Sequence, residues 1–219
     1  MNQKKRIGVI FDMDGTLWDS AKTVAWSWEK TARECGYTDV RITESDIKGV
    51  MGLTMDVLAG KIFPNIQEEE RALLLEKCGT YEIQVLSEQG AEIYPDVRET
   101  FEALREVGYL VCIVSNCQSG YIEAFLKYYQ LEHLVDDKAC YGDNDQPKDV
   151  NIKLVMDRNQ MDLGIYVGDI EGDYQSSKKA GAKFIRAAYG FGTISDPVPE
   201  ISKLAELPKV VERVVSSFL

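Results

Sequence analysis

The chain has 219 residues, 45% of them apolar and 28% charged, with a formal net charge of −11. That length buries a full core but is long for one minimal domain and short for two independent ones, so one domain carrying an insertion fits best. The acid excess argues against non-specific binding to nucleic acid or to an anionic membrane, since both need a basic surface.

The basic start Met1-Asn2-Gln3-Lys4-Lys5-Arg6 is followed by only five apolar residues before Asp12, too few for the apolar stretch of a secretion signal. A cytoplasmic protein is expected. Residues 6 to 11 read as a buried strand, and Asp12-Met13-Asp14-Gly15-Thr16 places two carboxylates at its exit. Asp is depleted in strands and costly to bury unpaired, so a cation that gathers the pair is one reading. Asx turns and helix caps, which use Asp routinely, are the other.

From residue 17 to about 90 no convincing strand occurs. Val24, Trp28, Ala32 and Cys35 recur at helical spacing, as do Leu74, Cys78, Tyr81 and Val85, so at least two amphipathic helices face a common core. Glu68-Glu69-Glu70 is an acidic first helical turn. A small helical domain inserted after the first strand would hang over the carboxyl end of the sheet, where ligands bind in open α/β folds. Within it, Lys48-Gly49-Val50-Met51-Gly52-Leu53-Thr54 has the glycines of a closing loop or of plain turns.

After residue 95 short β-type runs at 109 to 115, 138 to 142, 163 to 168 and 182 to 187 alternate with helical patterns, the signature of βα units and a parallel sheet. Val97, Phe101, Leu104 and Gly108 mark one helical face, and Val211, Val214, Val215 and Phe218 mark a terminal helix with Pro208 in its first turn. The longest apolar runs, such as 110 to 114, fall far short of a bilayer span. Three further polar clusters follow strand ends. Ser115-Asn116 offers anion-binding groups or a helix cap. Lys148 stands at the start of a helix, where it opposes the macrodipole, with Lys153 a competing cation. Gly168-Asp169-Ile170-Glu171-Gly172-Asp173 packs three acids into five residues, a density that a hard divalent cation would relieve and that helix-dipole compensation explains only in part. The five cysteines contain no CxxC pair and His133 stands alone, so neither a disulfide framework nor a zinc site is suggested. Cys117 alone lies near these clusters, where it is either a small apolar residue, as most free cysteines are, or a reactive thiol.

The order DxDGT, SN, a lone Lys, then GDxxxD resembles the haloacid dehalogenase-like hydrolase superfamily, and the helical segment resembles the cap of its phosphoglycolate phosphatase and β-phosphoglucomutase subclass. Ala180-Gly181-Ala182 and Tyr189-Gly190-Phe191-Gly192 extend the likeness toward the end of the chain. The resemblance implies an α/β fold with a doubly wound parallel Rossmann-like sheet, a catalytic core at 1–16 and 91–219, and a helical cap at 17–90. It implies a phosphatase that hydrolyses a small phosphorylated metabolite. Asp12 would be the nucleophile that becomes an aspartyl-phosphate and Asp14 the acid and base. Mg²⁺ would be held by Asp12, the Asp14 carbonyl and Asp169, with Asp173 close by or through water. Thr16 would orient the first loop, while Ser115, Asn116 and Lys148 would meet the phosphoryl oxygens. Lys48, Gly49, Met51 and Thr54 would face the substrate. From the residues themselves, Lys22, Arg33 and Lys48 are either partners for a distal anionic group or solvated helix charges. Two departures stand out: Asp149 follows Lys148 where many relatives have proline, and Ile170 replaces a small hydroxyl residue.

The same machinery serves a phosphomutase that passes phosphate to a sugar hydroxyl, and an inactive binding protein would keep the same residues. A dehalogenase needs neither Asp14 nor the acidic cluster, and a receiver-type signalling domain has no long helical insertion.

Overall fold

The structure, a computed structural model, describes residues 5–218; Met1 to Lys4 of the basic start, and Leu219, lie outside the described residues. Strand β1 (Ile7–Phe11) is buried at every position, as a central strand covered on both faces must be. A short strand β2 (Trp18–Asp19) precedes four helices: α1 (Ala21–Glu34), α2 (Glu44–Lys48), α3 (Met55–Ile62) and α4 (Glu68–Gln89). Strand β3 (Glu92–Ile93) then pairs antiparallel with β2, so the chain leaves and rejoins the sheet through one narrow ribbon. Two-residue strands carry no period, and nothing in the sequence announces them.

The rest alternates: α5 (Val97–Glu106), β4 (Leu110–Ser115), α6 (Tyr121–Tyr129), β5 (Asp137–Cys140), α7 (Tyr141–Asn144), α8 (Lys148–Arg158), β6 (Leu163–Gly168), α9 (Glu171–Ala180), β7 (Lys183–Ala187), β8 (Glu200–Ile201) and α10 (Leu207–Phe218). The expected strands match β1, β4, β5, β6 and β7 closely, except that Tyr141 and Gly142 belong to α7. A Cβ on Gly142 would stand 2.2 Å from the backbone nitrogen of Ser119, so the chain turns tightly against the segment after β4 instead of extending. The short strand β8 pairs with β7 and has no sequence signal of its own.

The sheet runs β5-β4-β1-β6-β7-β8 and every pairing in it is parallel. From β1 the connections lead outward through β4 to β5, then cross back to β6 on the other side of β1. The strand order therefore reverses at β1, and a crevice opens beyond the carboxyl ends of β1, β4 and β6. The expected doubly wound α/β fold is borne out.

One face of the sheet packs Phe11, Val111 and Ile165 against Phe101, Phe125 and Val211, and the other packs Ile10, Val114 and Tyr166 against Ile152 and Val155. A separate apolar cluster lies wholly within α1–α4 and the loops between them, with Trp28 stacked on Phe63 at 5.8 Å. Trp18 and Leu86 join the sheet cluster instead. The stripe on α4 is Leu74, Cys78, Glu82, Val85 and Leu86; Tyr81, expected on it, is only half-buried. Cys35 ends α1 as its C-cap and is half-buried, Gly108 lies beyond α5, and Phe218 at the end of α10 is 41% exposed. Among the described residues no helix is long and apolar enough to cross a membrane.

Candidate active site

The backbone N–H of Asp12 donates to the carbonyl of Val167 at 2.9 Å, continuing the β1–β6 pairing and bringing Asp12 level with the end of β6. Asp169 follows β6, and Asp173 lies in the first turn of α9. All three are buried, and each offers a carboxylate oxygen within 4.8 Å of the others. Glycine makes this convergence possible. Gly15 has φ +81°, and a Cβ there would stand 2.2 Å from Asp169 Oδ2. The loop after β7 closes the other side, where Phe191 N–H donates to Asp169 Oδ2 at 2.7 Å. Asp169 Oδ1 is buried with no hydrogen-bond partner.

Lys148, the first residue of α8 and 3% exposed, reaches this group from the far side of the crevice. Its Nζ lies 2.9 Å from Asp12 Oδ1 and 2.6 Å from Asp173 Oδ1. Asp173 Oδ2 accepts from the N–H groups of Asp169 and Ile170 at 3.1 and 3.2 Å. Both oxygens of Asp173 are thus engaged by protein donors. It positions Lys148 and ties the turn between β6 and α9.

Burial, reinforced by the charge of Asp173 and opposed by Lys148, pushes the Asp12 carboxyl up to about 7. Burial and the charges of Asp173 and Asp12 push Asp169 up to about 8. Burial works against the Lys148 ammonium, but the charges of Asp12 and Asp173 outweigh it and hold the proton more firmly than usual. Three carboxylates around one ammonium leave an excess of negative charge in a dry site. An all-oxygen donor set with an orphaned Asp169 oxygen fits a hard divalent cation.

The Asp14 side chain lies outside the three-carboxylate group. It accepts from Ser20 Oγ at 2.5 Å and from the Tyr121 hydroxyl at 2.8 and 3.0 Å. Burial lifts it to about 6 against the pull of those donors. Ser115, at the end of β4, lines a cavity together with Asp14. Asn116 donates from Nδ2 to the carbonyl of Gly52 at 2.8 Å, so its amide bonds the loop before α3. Thr16 is fully buried in the first loop with its Oγ1 unpartnered.

The expected substrate-facing loop divides. Met51 lines the cavity, Gly49 is the C-cap of α2, and Thr54 is the N-cap of α3. The Lys48 ammonium is 2.6 Å from both Asp19 and Glu44, so its charge is already matched. Lys22 and Arg33 line a different groove, along α1, and Arg33 pairs with Glu29 at 2.5 Å. Lys153 pairs with Asp157 on an exposed face, which leaves Lys148 as the lysine of the site. Burial pushes the Cys117 thiol well above its ordinary range, which disfavours a reactive thiolate.

Sequence reasoning missed Ser20, Tyr121 and Glu82. Tyr121 and Ser20 sit in helix starts with no motif to mark them. Glu82 carried a signal: four residues after Cys78, it is a charged residue on an apolar stripe.

A sequence profile of the haloacid dehalogenase-like hydrolases matches residues 9–187, and the chain belongs to that family. The phosphoglycolate phosphatase of Vibrio vulnificus (strain YJ016) is 27% identical over 229 residues, covering 96% of this chain and 98% of its own. That of Aquifex aeolicus is 28% identical, covering 96% and 99%. The expected class, a phosphatase hydrolase, is borne out by the family and by these relatives. In structure the chain is similar to a haloacid dehalogenase-like protein of Streptococcus pneumoniae (TM-score 0.77, 19% identity, 98% and 99% covered). It is similar also to CbbY of Rhodobacter sphaeroides, solved in complex with phosphate (TM-score 0.78, 14% identity, 91% and 95% covered).

Proposed function

We propose that the protein is a Mg²⁺-dependent phosphatase that hydrolyses a small phosphorylated metabolite through an aspartyl-phosphate on Asp12. The observation that carries this reading is Lys148 buried between Asp12 and Asp173, with Asp169 beside them, at the point where the strand order reverses. An Asp12 oxygen attacks phosphorus, the Asp12–phosphorus bond forms, and the bond from phosphorus to the leaving oxygen breaks. Asp14, with a carboxyl near 6, protonates that oxygen and then takes a proton from the water that hydrolyses the acyl-phosphate. Ser20 and Tyr121 fix the Asp14 rotamer for both transfers. Lys148, Ser115 and the backbone around Asn116 meet the phosphoryl oxygens, where charge sits during transfer. Asp12, Asp169 and the Asp14 carbonyl would hold Mg²⁺, with Asp173 behind them. The ion, when bound, screens the nucleophile from the phosphate's negative charge.

Residues 17–90 form the cap in this reading, joined to the core of 1–16 and 91–219 beside the β2–β3 ribbon, and Asn116 to Gly52 is a latch across the two. Turnover of p-nitrophenyl phosphate decides the matter. Wild type is expected to need Mg²⁺ and to stop with chelator, and Asp12→Asn is expected to lose about 10,000-fold or more. A wild-type protein with no Mg²⁺-dependent turnover of phosphate esters would end the proposal. A sugar phosphate converted to its isomer without release of phosphate would make the enzyme a mutase instead.

A further inference from the structure

Glu82 is 4% exposed on α4, inside the cavity that Asp14 and Ser115 line from the sheet side. Its Oε2 accepts from Trp28 Nε1 at 2.5 Å. Among the described residues no lysine, arginine or histidine lines this cavity, and no cation sets the Glu82 environment. Two further acceptors beside it, Asn116 Oδ1 and Gln118 Oε1, are buried with no hydrogen-bond partner. Trp28, Met55 and Leu58 supply apolar walls. The Glu82 carboxyl has the Trp28 indole and the Gln118 side chain as donors but no positive charge beside it, while the orphaned amide oxygens lack a donor.

We infer that this cavity receives the alcohol part of the substrate and selects a short chain carrying an ammonium group, so that the substrate class is amino-alcohol phosphates. The inference rests on the phosphatase reading. Asp14 belongs to the same cavity, and it is the group that protonates the leaving oxygen; the alcohol must therefore occupy this space. The space available to water centres is about 40 Å³, which corresponds to about three waters. That matches a two- or three-carbon alcohol. The ammonium would pair with Glu82 and donate to Asn116 Oδ1 or Gln118 Oε1, while its carbons lie on Trp28 and Leu58. Hydrolysis then releases the amino alcohol and phosphate, with the proton on the alcohol supplied by Asp14. Above about pH 7, where the Glu82 carboxyl is ionised, a carboxylate in that place would face it with no cation to offset the repulsion. The pocket therefore disfavours phosphoglycolate, the substrate named for the relatives.

The test compares kcat/KM for ethanolamine phosphate, glycerol 2-phosphate and phosphoglycolate in one preparation, with p-nitrophenyl phosphate as the reference. At about pH 8, where Glu82 is ionised, ethanolamine phosphate is expected to exceed phosphoglycolate by about 100-fold, as a like-charge contact in a dry pocket demands. Glu82→Gln is expected to shrink that ratio by at least about tenfold, mostly through KM for the amine. Because the ratio is taken within each preparation, a partly unfolded variant does not distort it, and if Glu82→Gln fails to fold the wild-type ratio still decides. Phosphoglycolate or glycerol 2-phosphate preferred over the amine overturns the inference while leaving the phosphatase reading intact. No turnover of p-nitrophenyl phosphate overturns that reading first.

Discussion

Lys148 has two carboxylate partners and almost no water, so its worth is best gauged by what its removal leaves behind. Lys148→Met strands Asp12 and Asp173 as buried, unmatched acids, and breaking such a pair costs about 3–5 kcal/mol. The variant is expected to unfold at lower urea and to lose about 100- to 1,000-fold in turnover, since a donor aimed at the transferring group goes with it. Denaturation and phosphatase assays on the same sample check both, and a variant of unchanged stability would show that the pair is not buried as described. Glu82 gives a second handle, through pH. Burial raises its carboxyl from 4.5 to about 7. Between those values the folded protein keeps a proton that the unfolded chain has released, so this group's effect is a stability that declines as pH rises through the window. Glu82→Gln removes that decline. Other raised acids in the site tilt the wild type in the same direction, so the informative quantity is the difference between the two proteins. Relative to wild type, Glu82→Gln is expected to be more stable at about pH 8 than at about pH 5, and a flat difference would place Glu82 in water.

At the scale of elements, Ile170 turns a departure from the family pattern into a contact. A Cβ on Gly52 would stand 2.4 Å from Ile170 Cδ1, and one on Gly192 would stand 2.7 Å from Ile170 Cγ2. The turn between β6 and α9 thus touches both the loop before α3 and the loop after β7, and it seats one on the other. A small hydroxyl residue would leave that seat empty. Ile170→Ser is therefore expected to raise KM by about tenfold, with a smaller change in kcat, and to speed proteolytic cutting within residues 49–54. Unchanged KM and unchanged cutting would mean that the loop is held by Asn116 alone. None of this was legible in sequence. The run Leu163–Gly168 announces its strand because every residue is buried, and the α1 stripe announces its helix because apolar residues recur at a fixed spacing. Contacts made through one isoleucine or one asparagine have no period to read. The β2–β3 ribbon has no period either, and β5 ends sooner than the sequence suggests because a glycine packed against distant backbone looks like any other glycine.

For the molecule as a whole, the legible part of the site is the part attached to strand ends, because topology alone carries Asp12, Ser115 and Asp169 to one edge of the sheet. The balance of charge there was not legible, since it depends on which lysine is buried and on which acids share an oxygen-lined gap. That balance sets the last prediction. Between 3.8 and the raised values of about 7 for Asp12 and about 8 for Asp169, the folded metal-free protein holds protons that the unfolded chain has lost. Its stability therefore falls as pH climbs through that window. A divalent cation needs the same carboxylates ionised, so its apparent affinity climbs over the same range and protons are released on binding. At a Mg²⁺ concentration near 100 times its Kd, the gain is about 2.7 kcal/mol. For a chain of this size each kcal/mol moves the unfolding midpoint by about 2–4 °C. Thermal unfolding with Mg²⁺ and with chelator is expected to differ by several degrees at about pH 8.5 and by much less at about pH 5.5. Asp169→Asn, which keeps the size of the side chain and removes its charge, should abolish the difference. A Mg²⁺ effect equal at both pH values, or one that survives Asp169→Asn, means that the ion binds somewhere other than among these carboxylates.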